Sequence, residues 1–433
     1  MAKTGIFAHF PENRAKNGFQ LAKRGCGSPG QEAFEMKTAA VIAEYNPFHK
    51  GHAWQLSQLR QRGASHIAVV MSPDFTQRGT PAILPKRVRA AAALQGGADL
   101  VLELPVCYAC AGAQGFAFGA VQLIGAMGCV DWLGFGAEDA DLALLEQAAN
   151  ALEHPQVQLA LKEELAAGIT FAKARERAVG RVFGERVSQI LQQPNNILAV
   201  EYLAQLRGLS PERRPQAIPL ERVGNAHDGA PVQGFASASY LRGLLLAGEW
   251  EQAAEYLPDF ALALYRQAAK EGKLARMENG ERAVLSALRR MSREELAALP
   301  DISEGIENRL YAAVQKACSL EELYEQIKTK RYPLSRVRRL VLAAFLQIPA
   351  QAHQTPPPYL RVLGMNERGR EILSRMKRTA SLPMSVSLSR LAQSSSEAAA
   401  LAALEAACAD QYGLFTERIF PCGLDYSEPV VKG

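Results

Sequence analysis

The chain has 433 residues, of which 48% are hydrophobic and 21% are charged. This balance is typical of globular proteins and excludes a fibrous or globally disordered chain, and the length predicts two or three domains. Seven dispersed cysteines, an odd number, do not form a disulfide scaffold and favour a cytoplasmic protein. The net charge of +5 is too small to indicate a nucleic-acid partner by itself.

Two early stretches differ in composition from the rest of the chain. Residues 1–35 have no hydrophobic periodicity, and we predict that they are a disordered or non-native leader, with Met36 as the natural start. Residues 104–130 carry no formal charge, but they include five glycines, Gln114 and Gln122. This composition favours a buried crossover over a membrane span, so no membrane association is predicted.

Four short hydrophobic runs follow one another at the spacing of β–α–β units. They cover residues 39–43, 66–71, 99–104 and 130–135. Runs of this length predict strands that are buried on both faces, as in a parallel sheet. The segments between them, 52–62, 85–96 and 113–127, have the pattern of helices. We therefore predict an α/β fold with a doubly wound, Rossmann-like parallel sheet, whose ligand site lies at the carboxyl ends of the strands.

Helices dominate the rest of the chain. Between residues 141 and 206 we predict helices, followed by a strand at 217–223 and a helix that begins at Ser239. After residue 247 helices are predicted at 250–270, 282–299, 306–317, 320–328 and 335–346. The proline-rich stretch 349–358 predicts a linker or surface loop, and 388–409 a solvated helix. An α/β domain at 36–247 is therefore expected before an all-helical domain at 248–433.

The first strand is followed by the most informative segment, Glu44-Tyr45-Asn46-Pro47-Phe48-His49-Lys50-Gly51-His52. A strand-to-helix turn directs free backbone N–H groups and the positive end of the helix dipole at one point, which favours a bound phosphate. His49 and His52 share one face of the first helical turn, so both can donate to a triphosphate and stabilise charge at its α-phosphate. Gly51 leaves room for an adenine. The alternative is that the histidines only cap the helix.

This segment resembles the signature of the HIGH-type nucleotidylyltransferases, which share their site with class I aminoacyl-tRNA synthetases. The resemblance implies ATP bound across the top of the sheet, nucleotidyl transfer and release of pyrophosphate. Ala236-Ser237-Ala238-Ser239-Tyr240-Leu241-Arg242 resembles the second motif of these enzymes, I-S-S-T-x-I-R. Ser237, Ser239 and Arg242 are therefore candidate phosphate contacts, and a plain serine N-cap is the alternative.

A closer resemblance is to the bacterial tRNA(Met) cytidine acetate ligases. It covers nearly all of the chain from Met36 onwards. Besides the histidine segment, the shared stretches are 70–72, 77–79, 81–82, Lys86, Arg89, 99–105, 116–119, 135–138, 194–198, and Arg222 ahead of His227-Asp228. The chain departs from the family at Pro73-Asp74, where Gly-Asn or Gly-His is usual, and at Ala137, where the family has Ser.

The resemblance implies activation of acetate by ATP to acetyl-adenylate and transfer of the acetyl group to N4 of the wobble cytidine of elongator tRNA(Met). ATP is then a substrate, Mg²⁺ is expected with it, and the partners are this tRNA and acetate, with no stable protein partner inferred. His49 and His52 are implied to be catalytic. The implied ATP-binding residues are Ile42, Ala43, Glu44, Tyr45, Asn46, Pro47, Phe48, His49, Lys50, Gly51, His52, Ala53, Trp54, Gln55, Gly136, Asn195 and Arg222.

Residues 328–378 contain twelve basic and two acidic residues, a net charge of +10. Such a run is usually a solvated face, but beside a nucleotidyl-transfer domain it favours a tRNA surface and makes 248–433 a predicted tRNA-binding domain. Tyr332 and Tyr359 are predicted to stack on unpaired bases. The predicted tRNA contacts are Lys328, Lys330, Arg331, Arg336, Arg338 and Arg339.

Other signals are weaker. Cys107 and Cys110 lack a second pair at ligand spacing, so buried thiols are expected and no metal ligand is predicted. Glu44 and Glu103, at strand ends, are candidates for orienting a histidine, for binding Mg²⁺, or for structural hydrogen bonds. Two other functions stay open: a small-molecule nucleotidylyltransferase of cofactor synthesis, which the long basic region disfavours, and a non-catalytic RNA-binding protein, which the intact histidine motif disfavours.

Overall fold

The computed structural model describes residues 36–222, 231, 234–303 and 305–433. The predicted leader at 1–35 and the motif residues His227 and Asp228 lie outside this part of the chain. The described strands are β1 (Thr38–Ala43), β2 (His66–Met71), β3 (Leu100–Glu103), β4 (Trp132–Ala137), β5 (Gln216–Glu221), β6 (Leu360–Met365), β7 (Met384–Ser385) and β8 (Val431–Lys432).

These strands form one sheet in the order β5-β4-β1-β2-β3-β6-β7, with β8 also paired to β6. The first five strands are parallel, so the predicted parallel α/β sheet is confirmed. β1 has β2 on one side and β4 on the other, which makes the β1–β4 junction a topological switch point. A ligand crevice is expected at the carboxyl ends of these two strands.

Helices cover both faces of the sheet. The first set is α1 (Lys50–Gln61), α2 (Lys86–Gln95), α3 (Val106–Ala109), α4 (Ala113–Met127), α5 (Leu142–Glu153), α6 (Pro155–Ala166), α7 (Phe171–Phe183), α8 (Glu185–Ile190) and α9 (Pro194–Arg207). The second set is α10 (Ala238–Ala247), α11 (Trp250–Ala254), α12 (Asp259–Lys270), α13 (Met277–Arg290), α14 (Arg293–Ala297), α15 (Ile306–Val314), α16 (Leu320–Ile327), α17 (Leu334–Leu346), α18 (Glu367–Thr379), α19 (Leu388–Ala392), α20 (Ser396–Tyr412) and α21 (Leu424–Ser427). Among the described residues, no helix is long and hydrophobic enough to cross a membrane.

Alternation along the strands explains the two-sided core, because successive side chains point to opposite faces. Ala40 and Val70 pack on the face covered by α4 and α9. Val41 and Val69 pack on the other face, together with α1, α2 and α12. Because α12 follows residue 247, part of the C-terminal region covers the same sheet as the first helices.

The expectation of an all-helical region after residue 247 is wrong at β6. This strand pairs antiparallel with β3, with an irregularity between Val101 and Leu102, and five of its six residues are buried. Without β6, β3 would be an edge strand with unpaired backbone groups. The run is short and lies among basic residues, so local pattern alone did not reveal a strand whose partner is far away in sequence.

Several predicted helices have different bounds in the structure. The predicted helix at 250–270 is two helices, with Pro258 preceding α12, and the one at 282–299 is divided where Ser292 and Glu295 form a capping box for α14. The predicted solvated helix at 388–409 is α19 and α20, and it is not fully solvated, because α20 buries Ala398 and Ala402.

Candidate active site

The turn between β1 and α1 brings His49 and His52 together. His49 is the N-cap of α1, and its Nδ1 accepts a hydrogen bond from the backbone N–H of Gly51 at 3.1 Å. His52 Nδ1 accepts from the backbone N–H of His49 at 3.3 Å. Since both Nδ1 atoms act as acceptors, the proton of each neutral ring lies on Nε2. The histidines therefore cap the helix and still keep an Nε2–H donor for a ligand.

Both rings are held in the neutral form. Burial lowers the pKa of His49 to about 3, and the charges of Arg222 and Arg242 act in the same direction. Burial also lowers the pKa of His52 well below its usual range, with further contributions from His49 and Arg222. The two rings stack with their centroids 3.8 Å apart, where two imidazolium charges would repel each other. At neutral pH the pair is thus a fixed set of uncharged donors.

The residues between β1 and the histidines shape the turn. Asn46 Oδ1 accepts from the backbone N–H of Ile83 at 2.8 Å, and the Asn46 carbonyl accepts from Arg242 Nη1 at 2.8 Å. The Phe48 carbonyl accepts from the Tyr265 hydroxyl at 3.0 Å. Four of the predicted ATP residues are buried: Tyr45, Asn46, Pro47 and Phe48. Their side chains therefore support the turn from the protein interior.

The structure gives a second reason for glycine at position 51, in addition to the predicted space for adenine. A Cβ at this position would lie 2.9 Å from His49 Cε1 and 3.0 Å from its Nδ1, closer than carbon atoms normally approach. A larger residue would therefore displace the imidazole that caps α1. Three further predicted ATP residues, Ala53, Trp54 and Gln55, are half-buried on α1.

Gly136, Asn195 and Arg222 meet at the carboxyl ends of β4 and β5. Arg222 follows β5, and a Cβ added to Gly136 would lie 3.2 Å from the Cγ atom of Arg222. Arg222 Nη1 donates to Asn195 Oδ1 at 3.4 Å. Asn195 Nδ2 in turn donates to Glu138 Oε1 at 2.5 Å, and Glu138 Oε2 accepts from the backbone N–H of Asn196 at the start of α9. Glu138 was absent from the predicted site, although the family stretch 135–138 includes it.

The second motif lies against the first. Ser237 caps α10 by accepting from the backbone N–H of Tyr240 at 3.1 Å, which is the plain N-cap role. Ser239 Oγ accepts from Arg242 Nη2 at 2.9 Å and from Arg78 Nη1 at 3.2 Å. Since Arg242 also binds the Asn46 carbonyl, two arginines and a serine stand beside the histidine turn. Arg78 was not predicted as a site residue.

Glu44 makes a structural contact: its Oε1 accepts from the backbone N–H of Gln77 at 2.8 Å. Arg89 is fully buried and links the loops that follow β1 and β2, because it donates to the carbonyls of Glu44, Ser72, Pro73 and Leu84. Within the described ranges, no group of three or more His, Cys, Asp or Glu side chains is arranged to hold a metal ion. Cys107 and Cys110 are buried, as expected, and burial raises the pKa of both thiols.

A buried ionic cluster holds Glu103 and contradicts the expected surface position of Arg361. Lys86 Nζ lies 2.6 Å from Glu103 Oε1 and 2.8 Å from Asp425 Oδ1. Arg361 Nη1 bonds the same two carboxylates at 2.7 and 2.6 Å, and only 1% of its side chain is exposed. Arg361 thus neutralises carboxylates inside the protein and offers no charge to tRNA. The adjacent Glu405 is also buried, which raises its pKa to about 8, helped by the charge of Glu103.

Tyr332 and Tyr359 do not have the predicted stacking role, because only 5% and 2% of their surfaces are exposed. Both side chains pack in the interior and cannot receive an unpaired base. Burial of an aromatic ring in the core stabilises the folded state, because it removes apolar surface from water.

The first part of the basic run, residues 328–339, lies beside the loop that follows β2. A Cβ on Gly79 would lie 2.5 Å from the backbone carbonyl carbon of Arg338, so α17 contacts this loop directly. Lys328, Lys330 and Arg331 are exposed. Arg336 donates to Ser303 Oγ at 2.6 Å, and burial lowers the pKa of Arg339.

The second part of the run lies at the opposite end of the sheet. In α18 and its N-cap, the Asn366 N–H donates to the Asp99 carbonyl at 3.0 Å, and Arg375 Nη1 to the Met36 carbonyl at 3.0 Å. Asp99 and Met36 precede β3 and β1, so α18 crosses the amino ends of the strands, whereas the histidines stand at the carboxyl ends. Residues 328–378 therefore do not form one continuous basic surface, and the tRNA contacts predicted at 328–339 stay a prediction. The exposed basic residues of α18 are Arg368, Arg370, Lys377 and Arg378.

The parallel sheet with paired histidines at its switch point defines the HIGH class of nucleotidyl transferases, and the HIGH Nucleotidyl Transferase family matches residues 36–420. A tRNA(Met) cytidine acetate ligase from Caldanaerobacter subterraneus subsp. tengcongensis is 36% identical over 407 residues, covering 92% of this chain and 100% of that protein. One from Listeria monocytogenes is 36% identical, covering 82% and 90%.

Solved structures give the same result. The apo crystal structure of Thermotoga maritima TmcAL superimposes with a TM-score of 0.87 at 32% identity, covering 92% of this chain and 99% of that one. The form of that enzyme bound with alpha-thio ATP has a TM-score of 0.85. The chain therefore belongs to the HIGH nucleotidyl transferase family and, within it, to the tRNA(Met) cytidine acetate ligases.

Proposed function

We propose that the protein activates acetate with ATP to acetyl-adenylate and transfers the acetyl group to N4 of the wobble cytidine of elongator tRNA(Met). The observation that carries this proposal is the stacked pair His49 and His52, whose Nδ1 atoms are both occupied by backbone N–H groups. Their Nε2–H groups are thereby left as neutral donors in a site with positive charge around it. Such donors stabilise the charge that develops on a phosphate during displacement.

Both steps are displacements by a nucleophile. An acetate oxygen attacks the α-phosphorus of ATP, the bond to the bridging oxygen of the β-phosphate breaks, and pyrophosphate leaves. The N4 amine of cytidine then attacks the acetyl carbonyl carbon, AMP leaves with the bonding electron pair, and the amine loses one proton. The protein's contribution to the first step is orientation and charge stabilisation, because the reacting groups are all supplied by the substrates.

We assign the adenosine part of ATP to the β4–β5 side, where Gly136, Asn195 and Arg222 meet. The β- and γ-phosphates are assigned to Ser239 and Arg242, and the α-phosphate to the two histidines. Ser237 is left with its capping role. Mg²⁺ fits this donor set only as an ion held mainly by ATP phosphates and water, where it would neutralise phosphate charge.

We further propose that residues 36–247 carry the ATP chemistry and that the tRNA surface lies in residues 248–433. The assigned contacts are Lys328, Lys330, Arg331, Arg336, Arg338 and Arg339. The position of Arg336, Arg338 and Arg339 supports this, since α17, which carries them, packs against the loop that contains Gly79. We propose a cytoplasmic location, because the proposed substrates include a tRNA. Residues 1–35 precede the family match, and we propose that they take no part in the reaction.

The test is incubation of the full chain with ATP, acetate and elongator tRNA(Met), followed by nucleoside mass analysis of the wobble position. N4-acetylcytidine should form only when all three substrates are present. Acetate-dependent exchange of labelled pyrophosphate into ATP should occur without tRNA. Absence of both products would overturn the proposal, and pyrophosphate exchange that ignores acetate but depends on another small molecule would favour a nucleotidylyltransferase of cofactor synthesis.

A further inference from the structure

The loop between β2 and α2 presents Arg78 at the tip of a hydrogen-bonded turn. The Gly79 N–H donates to the Thr76 carbonyl at 2.9 Å, and the Thr76 N–H donates to the Thr80 carbonyl at 3.1 Å. Phe75 and Pro81 form a β-bridge below this turn. These contacts fix the backbone on both sides of Arg78. The Cα atom from which its side chain extends therefore has a defined position.

The same tip is held between the ATP turn and the basic helix. On one side, Glu44 Oε1 accepts from the Gln77 N–H at 2.8 Å. On the other side, Gly79 has a φ of +73° and leaves no room for a Cβ against the backbone of Arg338 in α17. Arg78 thus lies between the elements assigned to ATP and the helix assigned to tRNA, which is where an acetyl group has to pass from one to the other.

The side chain of Arg78 reaches the second motif. Its Nη1 donates to Ser239 Oγ at 3.2 Å, and the same oxygen accepts from Arg242 Nη2 at 2.9 Å. β2, which precedes this loop, pairs with β1 on the side opposite to β4. The loop that carries Arg78 therefore lies on the side of β1 opposite to β4, the strand that carries Gly136.

Acyl-adenylate formation must bring a carboxylate to a triphosphate although both are anions. A guanidinium offers two parallel N–H groups that match the two oxygens of a carboxylate. We propose that Arg78 binds the carboxylate of the acyl substrate and holds one of its oxygens toward the α-phosphate. This assignment rests on the proposed function and adds the acyl-binding residue to it.

The test separates the two substrates kinetically. In acetate-dependent pyrophosphate exchange, Arg78→Gln should raise the KM for acetate by about 10- to 100-fold, because a charged hydrogen-bonding partner of a small anion is removed. The KM for ATP should change by less than about threefold. Arg78→Lys should give an intermediate acetate KM, since it keeps the charge but loses the fork. Arg186→Gln, an exposed arginine on α8, makes the same chemical change elsewhere and should leave both values unchanged.

Each alternative outcome has a distinct meaning. A raised KM for ATP with an unchanged KM for acetate would overturn the proposal and assign Arg78 to the triphosphate, and no change in either value would remove it from the site. Thermal melts identify folded variants, and Arg78→Lys provides the comparison if Arg78→Gln fails to fold. If the unmodified chain shows no acetate-dependent exchange, the proposed function itself fails, whereas normal exchange with an unchanged acetate KM in the variants overturns only the role of Arg78.

Discussion

Two runs with six basic residues each, 328–339 and 361–378, lie at opposite ends of the sheet in this fold. The first contacts, through Arg338, the loop that follows the carboxyl end of β2. The second begins with the buried Arg361 and continues into α18, which crosses the amino ends of the strands. The strand β6, which contains Arg361, runs antiparallel to β3, so the chain that continues from it into α18 emerges at the other end of the sheet.

The difference shows how little a charge count along the chain says about a surface. A strand of six residues spans about 20 Å, which is enough to separate two runs that are neighbours in sequence. One basic residue in the second run serves a buried ionic cluster, and others face solvent far from the site. Substitutions in each run, and at each end of the sheet, can test whether these regions differ in function as they differ in position.

The largest effect is expected at Arg361. Replacement by alanine leaves Glu103 and Asp425 buried with one cation fewer, which should lower the free energy of unfolding by about 3–5 kcal/mol. The measurement is denaturant unfolding, with Arg368→Ala on α18 as the exposed control, expected to change stability by less than about 0.5 kcal/mol. A stable Arg361→Ala variant with weakened tRNA binding would show instead that Arg361 is a surface contact.

The next effect concerns the histidines at the carboxyl ends. His49→Ala and His52→Ala should each slow acetate-dependent pyrophosphate exchange by about 10²–10³-fold, because a preorganised donor to the transition state is removed. His66, a buried histidine that begins β2 and bonds Glu371, is the control at the amino end. His66→Ala should affect thermal stability while the exchange rate per folded molecule stays near normal. Comparable rate losses in all three variants would contradict the assigned site.

The basic runs themselves can be compared by charge reversal. Changing Lys328, Lys330 and Arg331 to Glu should weaken tRNA binding, and the log–log salt dependence should flatten by roughly 0.7–0.9 for each phosphate that the protein no longer neutralises. The matched variant changes Arg368, Arg370 and Lys377, which are exposed on α18, and should leave affinity and salt slope nearly unchanged. Pyrophosphate exchange should survive in both. The reverse ranking would place the tRNA on the amino-end surface.

The smallest effect is a pH dependence. The pKa of His49 is lowered from its ordinary value near 6.5 to about 3 in the folded protein. Between about pH 3 and 6.5 the unfolded chain therefore binds more protons at this residue than the folded protein does. His49 therefore lowers stability as the pH falls below about 6.5, by at most about 1.4 kcal/mol per pH unit. The unfolding free energy of His49→Gln should fall less between pH 6.5 and 5 than that of the unmodified chain. Equal slopes would show that His49 is not buried in the neutral form.

The sequence by itself determined those features that depend on residues close together in the chain. Strand-sized hydrophobic runs at β–α–β spacing predict the parallel core, since a crossover helix needs about that length. His49, Gly51 and His52 lie within one helical turn, so their common position and capping follow from local geometry. The second motif also had a local part, because the serine that caps α10 acts on an N–H three residues later.

Tertiary structure alone decided which distant groups meet. Arg78 and Ser239 are 161 residues apart, and nothing in either local pattern indicates their contact. Arg361 has the charge of a surface residue, but its strand completes the sheet beside β3, and the carboxylates of Glu103 and Asp425 neutralise it there. Local periodicity predicts which side of an element is buried, whereas the identity of its neighbour depends on long-range packing. For that reason the sequence predicted the ATP turn, and only the fold showed where the basic runs lie.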